Sequence, residues 1–443
     1  MKFLVQFVLE LLPFRMPEFA AAAEWANVPF TVLLALPNND TSPYSIIDMP
    51  SEEDAKRVVE RCALVRSIYL YLGHGDSYEQ LGRSRFAALA PARSFSCTVA
   101  ACYRRLSLQD KEERRRRLDY IDFPGPIDMK NPEVALHLLE LYDGTVLHST
   151  DAPFYGVFFA LWLRDGVRSL VTHYSLKTRT YINTTSMNET LAFLMAHQAL
   201  IKPGSVVFDP FAGSCGMLVP CAHYGAFIVG GDIDPRMMSA KDPTHNARMS
   251  FVQYKLESQL LDVVVTDNSH STFRGNVKFD AILSDPPYGI REAAKKIAQV
   301  PNAKPIPLEK RAAHIPRKIQ YAQDLLICDL VDFAATHLVV GGRLVFWMPT
   351  HDEPLDEYVP IHPAMRLISN SSQPMAGRRH RIMVTLQKLH DPTPTERATI
   401  SEKYAQIMFE NSRSTQSKIK YQAELAEQAE QERIAATSPG DNA

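Results

Sequence analysis

Four consecutive residues, Asp285-Pro286-Pro287-Tyr288, bring together a carboxylate, two prolines without amide hydrogens and a phenol ring. Such a turn suits an amino group carried on a flat ring. The carboxylate and the Pro286 carbonyl can accept the amine's hydrogens, and the Tyr288 ring offers a face on which a base stacks. With its hydrogens held, the nitrogen directs its lone pair at an electrophile instead of into the ring. Upstream, Asp209-Pro210-Phe211-Ala212-Gly213-Ser214-Cys215-Gly216 sets a carboxylate before a turn of small residues, which lets a ligand approach the backbone closely. Asp232 and Asp234 follow 23 and 25 residues after Asp209, where an acid typically accepts hydrogen bonds from the two ribose hydroxyls of a nucleotide. Asp267, directly after Val263-Val264-Val265-Thr266, is placed to reach an adenine amino group. Taken singly, an acid after a strand is more often a turn or helix cap. Their order along the chain is what points to chemistry.

The elements that must position these residues are visible as buried β runs separated by helices. They are Val206-Val207-Phe208, Phe227-Ile228-Val229, Val263 to Val265, Ala281-Ile282-Leu283, Leu344 to Trp347 and Ile382-Met383-Val384. Continuous apolar strands alternating with helices predict a parallel sheet covered on both faces, and such sheets bind ligands beyond the carboxyl ends of their strands. Residues 1 to about 175 instead mix short apolar runs, Thr31 to Leu36 and Phe154 to Leu163, with helical stretches such as Ser51 to Tyr71, which reads as α+β. Met1 to Val8 followed by Pro17-Glu18-Phe19-Ala20 reads as a strand and then a helix. Glu10 and Arg15 argue against a secretory leader there. From Asn411 to Ala443 the chain is mostly Gln, Glu, Ala, Lys and Ser, a tail expected to be frayed helix or disorder.

At 443 residues the chain has room for two or three domains, and no apolar run is long enough to predict a membrane span. A net charge of −2 means that attraction to a polyanion must come from local basic patches. Two candidates stand out. Tyr103 to Leu118 holds seven basic side chains, among them Arg114 to Arg117, against three acidic ones. Arg291 to Lys318, directly behind Tyr288, holds eight against two and is expected to contact a phosphate backbone. Arg378, Arg379 and Arg381 form a smaller cluster before the last strand. None of the six cysteines has the spacing of a zinc knuckle or redox pair, so they read as reduced thiols in a cytoplasmic or nuclear compartment, and no metal ligands are assigned.

The order Asp-Pro-Phe-x-Gly, acid after the second strand, then Asp-Pro-Pro-Tyr resembles S-adenosylmethionine-dependent methyltransferases that act on the amino groups of nucleic-acid bases. The chain is more similar still to the catalytic subunit of eukaryotic tRNA (guanine-10-N2)-methyltransferases. The resemblance lies in Asp285 to Glu292, in Ala222-His223-Tyr224-Gly225-Ala226 leading to Gly231-Asp232-Ile233-Asp234, and in Tyr174 to Lys177 through Tyr181 to Thr185-Ser186-Met187. Upstream, Phe14 to Glu18 and Asp128 to Pro132 resemble the family's N-terminal region, which includes a THUMP RNA-binding module. The likeness covers most of residues 1 to 390.

The resemblance implies a Rossmann-like methyltransferase sheet preceded by an α+β RNA-binding region with a THUMP module. The expected division is 1–175 for RNA binding, 176–392 for methyl transfer and 393–443 as a charged, flexible tail. It implies methylation of the exocyclic amine of guanine-10 in tRNA, with Asp285, Pro286 and Tyr288 at the reacting amine and Asp209, Phe211, Gly213, Asp232, Asp267 and Ser186 at S-adenosylmethionine. It also implies a small zinc-binding activator subunit, and of the two compartments that fit the cysteines the cytoplasm is the expected one. Two alternatives share these features: an adenine-N6 methyltransferase, and a noncatalytic RNA-binding scaffold with a weakened cofactor site. The second arises because the family usually has Gly-Thr-Gly-Gly where this chain has Gly213-Ser214-Cys215-Gly216. If that glycine needs a positive φ, Cys215 is strained by about 1–2 kcal/mol.

Overall fold

A computed structural model describes residues 1–35, 42–81, 94–119, 125–144, 152–183, 186–238, 246–271, 273–288, 294–298, 306–307, 317–350, 356–375, 380–402 and 404–405. Thr185, Gly289 to Glu292, most of the basic connection that follows them, Arg378, Arg379 and the tail from Asn411 lie outside the described residues. The chain separates into a unit that ends at Tyr174 and one that begins at Ser175.

The first unit is built on β1 (Lys2–Phe7), β2 (Thr31–Ala35), β3 (Tyr44–Asp48), β4 (Val65–Gly75), β5 (Phe95–Cys102), β6 (Val134–Tyr142) and β7 (Phe154–Asp165), in the spatial order β2-β3-β1-β4-β7-β6-β5. Phe3, Val5, Ile47 and Ile68 pack under the helices Arg15–Ala26 and Glu52–Val59, which supply Phe19, Ala22, Ala55 and Val58. Ser51 caps the second helix by accepting from the Asp54 amide at 3.1 Å. The helical reading of Ser51 to Tyr71 holds only for its first half. Glu18 accepts the Ala63 and Leu64 amides at 2.7 and 2.8 Å and fixes a turn there. From Val65 the chain is strand, because a run with Val65, Ile68 and Tyr69 pairs on both sides, with β1 and β7.

The second unit contains β8 (Val206–Asp209), β9 (Phe227–Asp232), β10 (Leu260–Val265), β11 (Phe279–Ser284), β12 (Lys295–Ile297), β13 (Lys318–Gln320), β14 (Leu338–Thr350), β15 (Met365–Pro374) and β16 (His380–Lys388). Its main sheet has the order β10-β9-β8-β11-β14-β16-β15. The first five of these are parallel, as their apolar runs predict; β16, whose run Ile382 to Val384 predicts the same direction, instead runs antiparallel between β14 and β15, because an apolar run marks a strand buried on both faces and not its direction. Helices Glu189–Gln198 and Gln323–His337 bury Leu194, Met195, Leu330 and Val331. The strand order reverses at β8, which pairs with β9 on one side and β11 on the other. A crevice must open there beyond the carboxyl ends. Beyond Leu389, Tyr404 is buried and donates to the Pro349 carbonyl at 3.1 Å, so the unit continues at least that far.

Candidate active site

Asp209 ends β8, Asp232 ends β9, Asp267 stands two residues beyond β10 and Asp285 follows β11. Because these four strands are adjacent and parallel, the sheet delivers all four acids to one end. The small-residue turn between β8 and the following helix folds back on them. Asp209 Oδ1 accepts the Phe211 amide at 2.9 Å, Asp232 Oδ2 accepts the Gly213 amide at 3.0 Å, and Asp232 Oδ1 accepts the Asp234 amide at 2.8 Å. Asp209 is buried, and burial, reinforced by the charges of Asp232 and Asp285, pushes its carboxyl well above the usual range. Gly213 has φ +50° and Cys215 has φ +56°. Cys215 therefore does sit in the left-handed region that favours glycine.

The two acids after β9 part company. Asp232 turns to the glycine turn, whereas Asp234 is tied to Arg236 at 2.6 Å and to Lys318 at 2.9 Å. The Arg236 guanidinium, aided by Lys318, holds the Asp234 carboxyl well below its ordinary value. Asp267 is also engaged: Oδ1 accepts the Ser269 amide at 3.0 Å and hydroxyl at 2.7 Å, and Oδ2 accepts the Ile297 amide at 2.7 Å. Its neighbour Asn268 lines a cleft with Pro210, Phe211, Ile233 and Thr266. Both polar atoms of the Asn268 amide are buried with no partner among the described residues. Thr266, Asp267, Ser269, Lys295, Tyr321 and Asp329 line the same cleft, so beside the apolar faces of Pro210, Phe211, Ile233 and Leu326 it offers hydrogen-bonding and charged groups to a ligand that has its own donors and acceptors. Ser186 lies across the glycine turn, where its hydroxyl meets Asn183 Oδ1 at 2.9 Å and Ser214 Oγ at 3.2 Å.

At the amine turn, the Tyr288 hydroxyl donates to Asp285 Oδ1. Burial raises the Asp285 carboxyl, while Tyr288 and the charge of Arg381 oppose the rise. Burial raises the Tyr288 phenol too, and the Asp285 charge adds to it. Gln323 Nε2 donates to the Pro287 carbonyl at 3.3 Å and so props the turn from the following helix.

Residues 1–168 match the family described as the Tmrp11 THUMP N-terminal domain, and residues 177–299 match that of the RMKL-like methyltransferase domain. The chain is 33% identical over 410 residues to the tRNA (guanine(10)-N(2))-methyltransferase TRMT11 of Xenopus laevis, spanning 88% of this chain and 85% of that one. Against human TRMT11 the identity is 33% over 414 residues, with 88% of each chain covered. The tRNA (guanine(10)-N(2))-methyltransferase of Saccharomyces cerevisiae is 32% identical over 406 residues, 87% of this chain and 93% of the yeast one. This chain belongs to the tRNA (guanine(10)-N2)-methyltransferase family.

Within this family member, Asp209, Phe211, Gly213, Asp232 and Asp267 stand at the carboxyl ends of β8, β9 and β10, with Ser186 against the turn through Ser214 and with Asp285, Pro286 and Tyr288 after β11; of these, Phe211 and Asp267 line the cleft. Asn268, Gln323 and Arg381 are the additions that sequence reading did not put there. Asn268 was adjacent to a chosen residue. Arg381 was read only as a candidate phosphate contact, since it stands at the start of its strand, β16, instead of after one.

The basic clusters are less available than their composition implies. Arg114 Nε donates to buried Glu140 at 2.7 Å, and Arg115 and Arg117 pair with Glu112 and Glu113 at 2.8 and 2.9 Å. Arg116, with its side chain 72% exposed, is the most open of the four. In the second cluster, Lys318 is bound to Asp234, and the Lys296 ammonium lies 4.3 Å from the centroid of the Tyr321 ring.

Proposed function

We propose that this chain is the catalytic subunit that transfers a methyl group from S-adenosylmethionine to the exocyclic N2 amine of guanine-10 in tRNA. The observation that carries the reading is the delivery of Asp209, Asp232 and Asp285 by three neighbouring strands to one sheet end, in a chain of this family. A cofactor in the crevice would be held by Asp232 at its ribose, by the Phe211 and Asn268 side of the cleft at its base, and by the Gly213 turn with Ser186 at its amino-acid part. Asp209 supports that turn from beneath. When bound, the cofactor supplies an electrophilic methyl group on a sulfonium centre.

The chain's own task is to present the amine. The guanine must leave its stack to reach Asp285, which costs a few kcal/mol. Asp285 and the Pro286 carbonyl accept the two amine hydrogens, and Tyr288 covers the base. Once methylated, the amine would shed one proton, and Asp285, which holds an amine hydrogen, would pass it on to solvent. The chemistry rests on alignment and on quenching of the sulfonium charge, and no covalent intermediate with the chain is needed.

Residues 1–175 serve as the tRNA-binding region and 176–392 as the methyltransferase domain in this reading. From the family resemblance alone we add a small zinc-binding activator subunit as partner, and we place the chain in the cytoplasm. Six unbridged cysteines fit a reducing compartment. No helix among the described residues is long and apolar enough to cross a membrane.

The positive φ of Cys215 favours one other reading, a scaffold that binds the cofactor poorly. Mass spectrometry of nucleosides from tRNA incubated with the protein and labelled cofactor, with and without a candidate activator, decides between them. N2-methylguanine at position 10 supports the proposal. Methylated adenine, or no product with the activator present, rejects it.

A further inference from the structure

Gly216 closes the turn of small residues after β8, yet its backbone does not demand glycine: Gly213 has a positive φ, whereas Gly216 does not. What Gly216 supplies is room. A Cβ there would lie 2.6 Å from Nη1 of Arg179, a buried side chain whose Nη1 donates to the Gly216 carbonyl at 3.2 Å. Residues just after Arg179 touch the same turn. Asn183 Nδ2 stands 3.1 Å from the place of a Cβ on Gly213, and Ser186 Oγ is 3.2 Å from Ser214 Oγ. The segment is gripped in turn by the helix Ala247–Gln253. Gln253 Nε2 donates to the Thr178 carbonyl at 2.7 Å, and its Oε1 accepts the Thr180 amide and hydroxyl, each at 2.7 Å. Ser250 Oγ donates to the Tyr181 carbonyl at 3.3 Å. These bonds fix the backbone immediately before and after Arg179, whose side chain is buried between exposed Thr178 and Thr180.

We infer that Arg179 is a positioning residue for the cofactor, holding the Gly213 to Gly216 turn in its binding shape before S-adenosylmethionine arrives, and that Gly216 is glycine in order to admit it. The inference rests on the reading above that sets the cofactor's amino-acid part on this turn. Asp232 holds the beginning of the turn by accepting the Gly213 amide at 3.0 Å, and Arg179 holds its end by donating to the Gly216 carbonyl. A turn fixed at both ends loses less conformational freedom when a ligand settles on it, so it binds that ligand more tightly. A charged donor makes the stronger bond to a carbonyl, and the flat guanidinium fits the space that the missing Cβ leaves.

The test is S-adenosylmethionine affinity, by calorimetry on the full chain, for the parent, Arg179→Ala, Arg179→Lys, Gly216→Ala and the double variant Arg179→Ala with Gly216→Ala. Thermal melts and hydrogen exchange of the turn amides accompany each cofactor-free protein. Arg179→Ala and Gly216→Ala are each expected to lose about tenfold in affinity and to exchange the turn amides faster. Arg179→Lys keeps a donor and should lose less. The double variant should bind no worse than Arg179→Ala, because the added Cβ no longer meets a guanidinium. In methyl transfer the loss should fall on KM for the cofactor more than on kcat. Parental affinity in both single alanine variants overturns the inference. Losses that add in the double variant overturn it too, since the two residues would then act separately. If Arg179→Ala melts early, Gly216→Ala still decides, because its backbone accepts alanine: parental affinity there contradicts the claim. A parent that binds S-adenosylmethionine no better than its variants sinks this inference only, whereas a parent that binds none sinks the cofactor reading beneath it.

Discussion

Both units contain a partly or fully buried carboxylate set among tyrosine and arginine, and they use it in opposite ways. In the first sheet Glu140 Oε1 accepts from Tyr78 at 2.7 Å and from Arg114 at 2.7 Å, and Oε2 accepts from Tyr142 at 3.0 Å. Arg114 then reaches on to the Asp110 carbonyl at 3.1 Å and pins its helix to β6. Every strong donor around Glu140 has an acceptor, and such a closed network holds a structure together. Around Asp285 the same residue types leave gaps. The Ser284 hydroxyl and Gln323 Oε1 are buried with no partner among the described residues. Unpaired buried polar atoms are costly, and although Arg15 Nε and Nη2 show that the first unit holds some too, those beside Asp285 stand where a bound base can complete them. The contrast teaches that a carboxylate, a tyrosine and an arginine are no signature by themselves. Whether their hydrogen bonds are complete separates a brace from a site.

The contrast can be broken most directly at Asp285. Asp285→Asn keeps the size but turns donors toward the amine's hydrogens, so single-turnover methyl transfer should fall by about 10²–10³-fold, a loss of the order seen when a transition-state contact is removed. Its melting temperature and tRNA affinity should scarcely move. A parental rate would show that the open carboxylate does no more than the closed one.

Glu140→Gln asks the reverse question. It removes the closer of Arg114's two counter-ions and leaves Asp110 Oδ1 at 3.4 Å, so hydrogen exchange over β6 should report a loss of about 1–3 kcal/mol. S-adenosylmethionine affinity should stay at the parental value. Unchanged protection in β6 would mean that Glu140 is no brace.

A smaller effect is expected at Asp232, the acid proposed for the ribose. Asp232→Ala should weaken cofactor binding in calorimetry by about 1.5–3 kcal/mol through lost charge-assisted hydrogen bonds. Equal affinities would move the ribose elsewhere in the crevice.

The smallest and most diagnostic effect lies at Cys215. At an ordinary position glycine is less stable than alanine, but at φ +56° the order inverts. Cys215→Gly should change stability by less than about 1 kcal/mol, with strain relief offsetting the lost thiol contacts, and Cys215→Ala should be the less stable of the two. Chemical denaturation of both variants settles it, and an alanine variant that is the more stable would show that no strain is present.

How far the sequence could be read follows from these same residues. The strands announced themselves because each is a continuous apolar run, though Ile382 to Val384 is such a run in an antiparallel strand, and a parallel sheet puts functional side chains just after its runs. Asp209, Asp232, Asp267 and Asp285 were therefore legible. Arg381 was not, because an antiparallel strand reaches the same sheet end with its first residue, and nothing in Arg378-Arg379-His380-Arg381 distinguishes an inward arginine from a solvated one. The first half of Ser51 to Tyr71 was legible through the Ser51 cap. The second half was not, since the pairing that makes Val65 to Gly75 a strand comes from β1 and from β7, almost a hundred residues away. Arg114 to Arg117 looked like a phosphate-binding face because composition counts charges without showing that Glu112, Glu113 and Glu140 stand opposite them.

The cysteine in the cofactor turn has one more consequence, and it concerns oxidation. Cysteines are attacked by peroxides and alkylating agents as thiolates, and reach sulfenic acid or a mixed disulfide only when that anion is populated and accessible. Cys215 is fully buried, and burial together with the nearby Asp209 and Asp232 pushes its thiol far above physiological pH. The turn therefore carries sulfur without redox sensitivity, and oxidative stress has no chemical handle at the place where the cofactor is expected to bind.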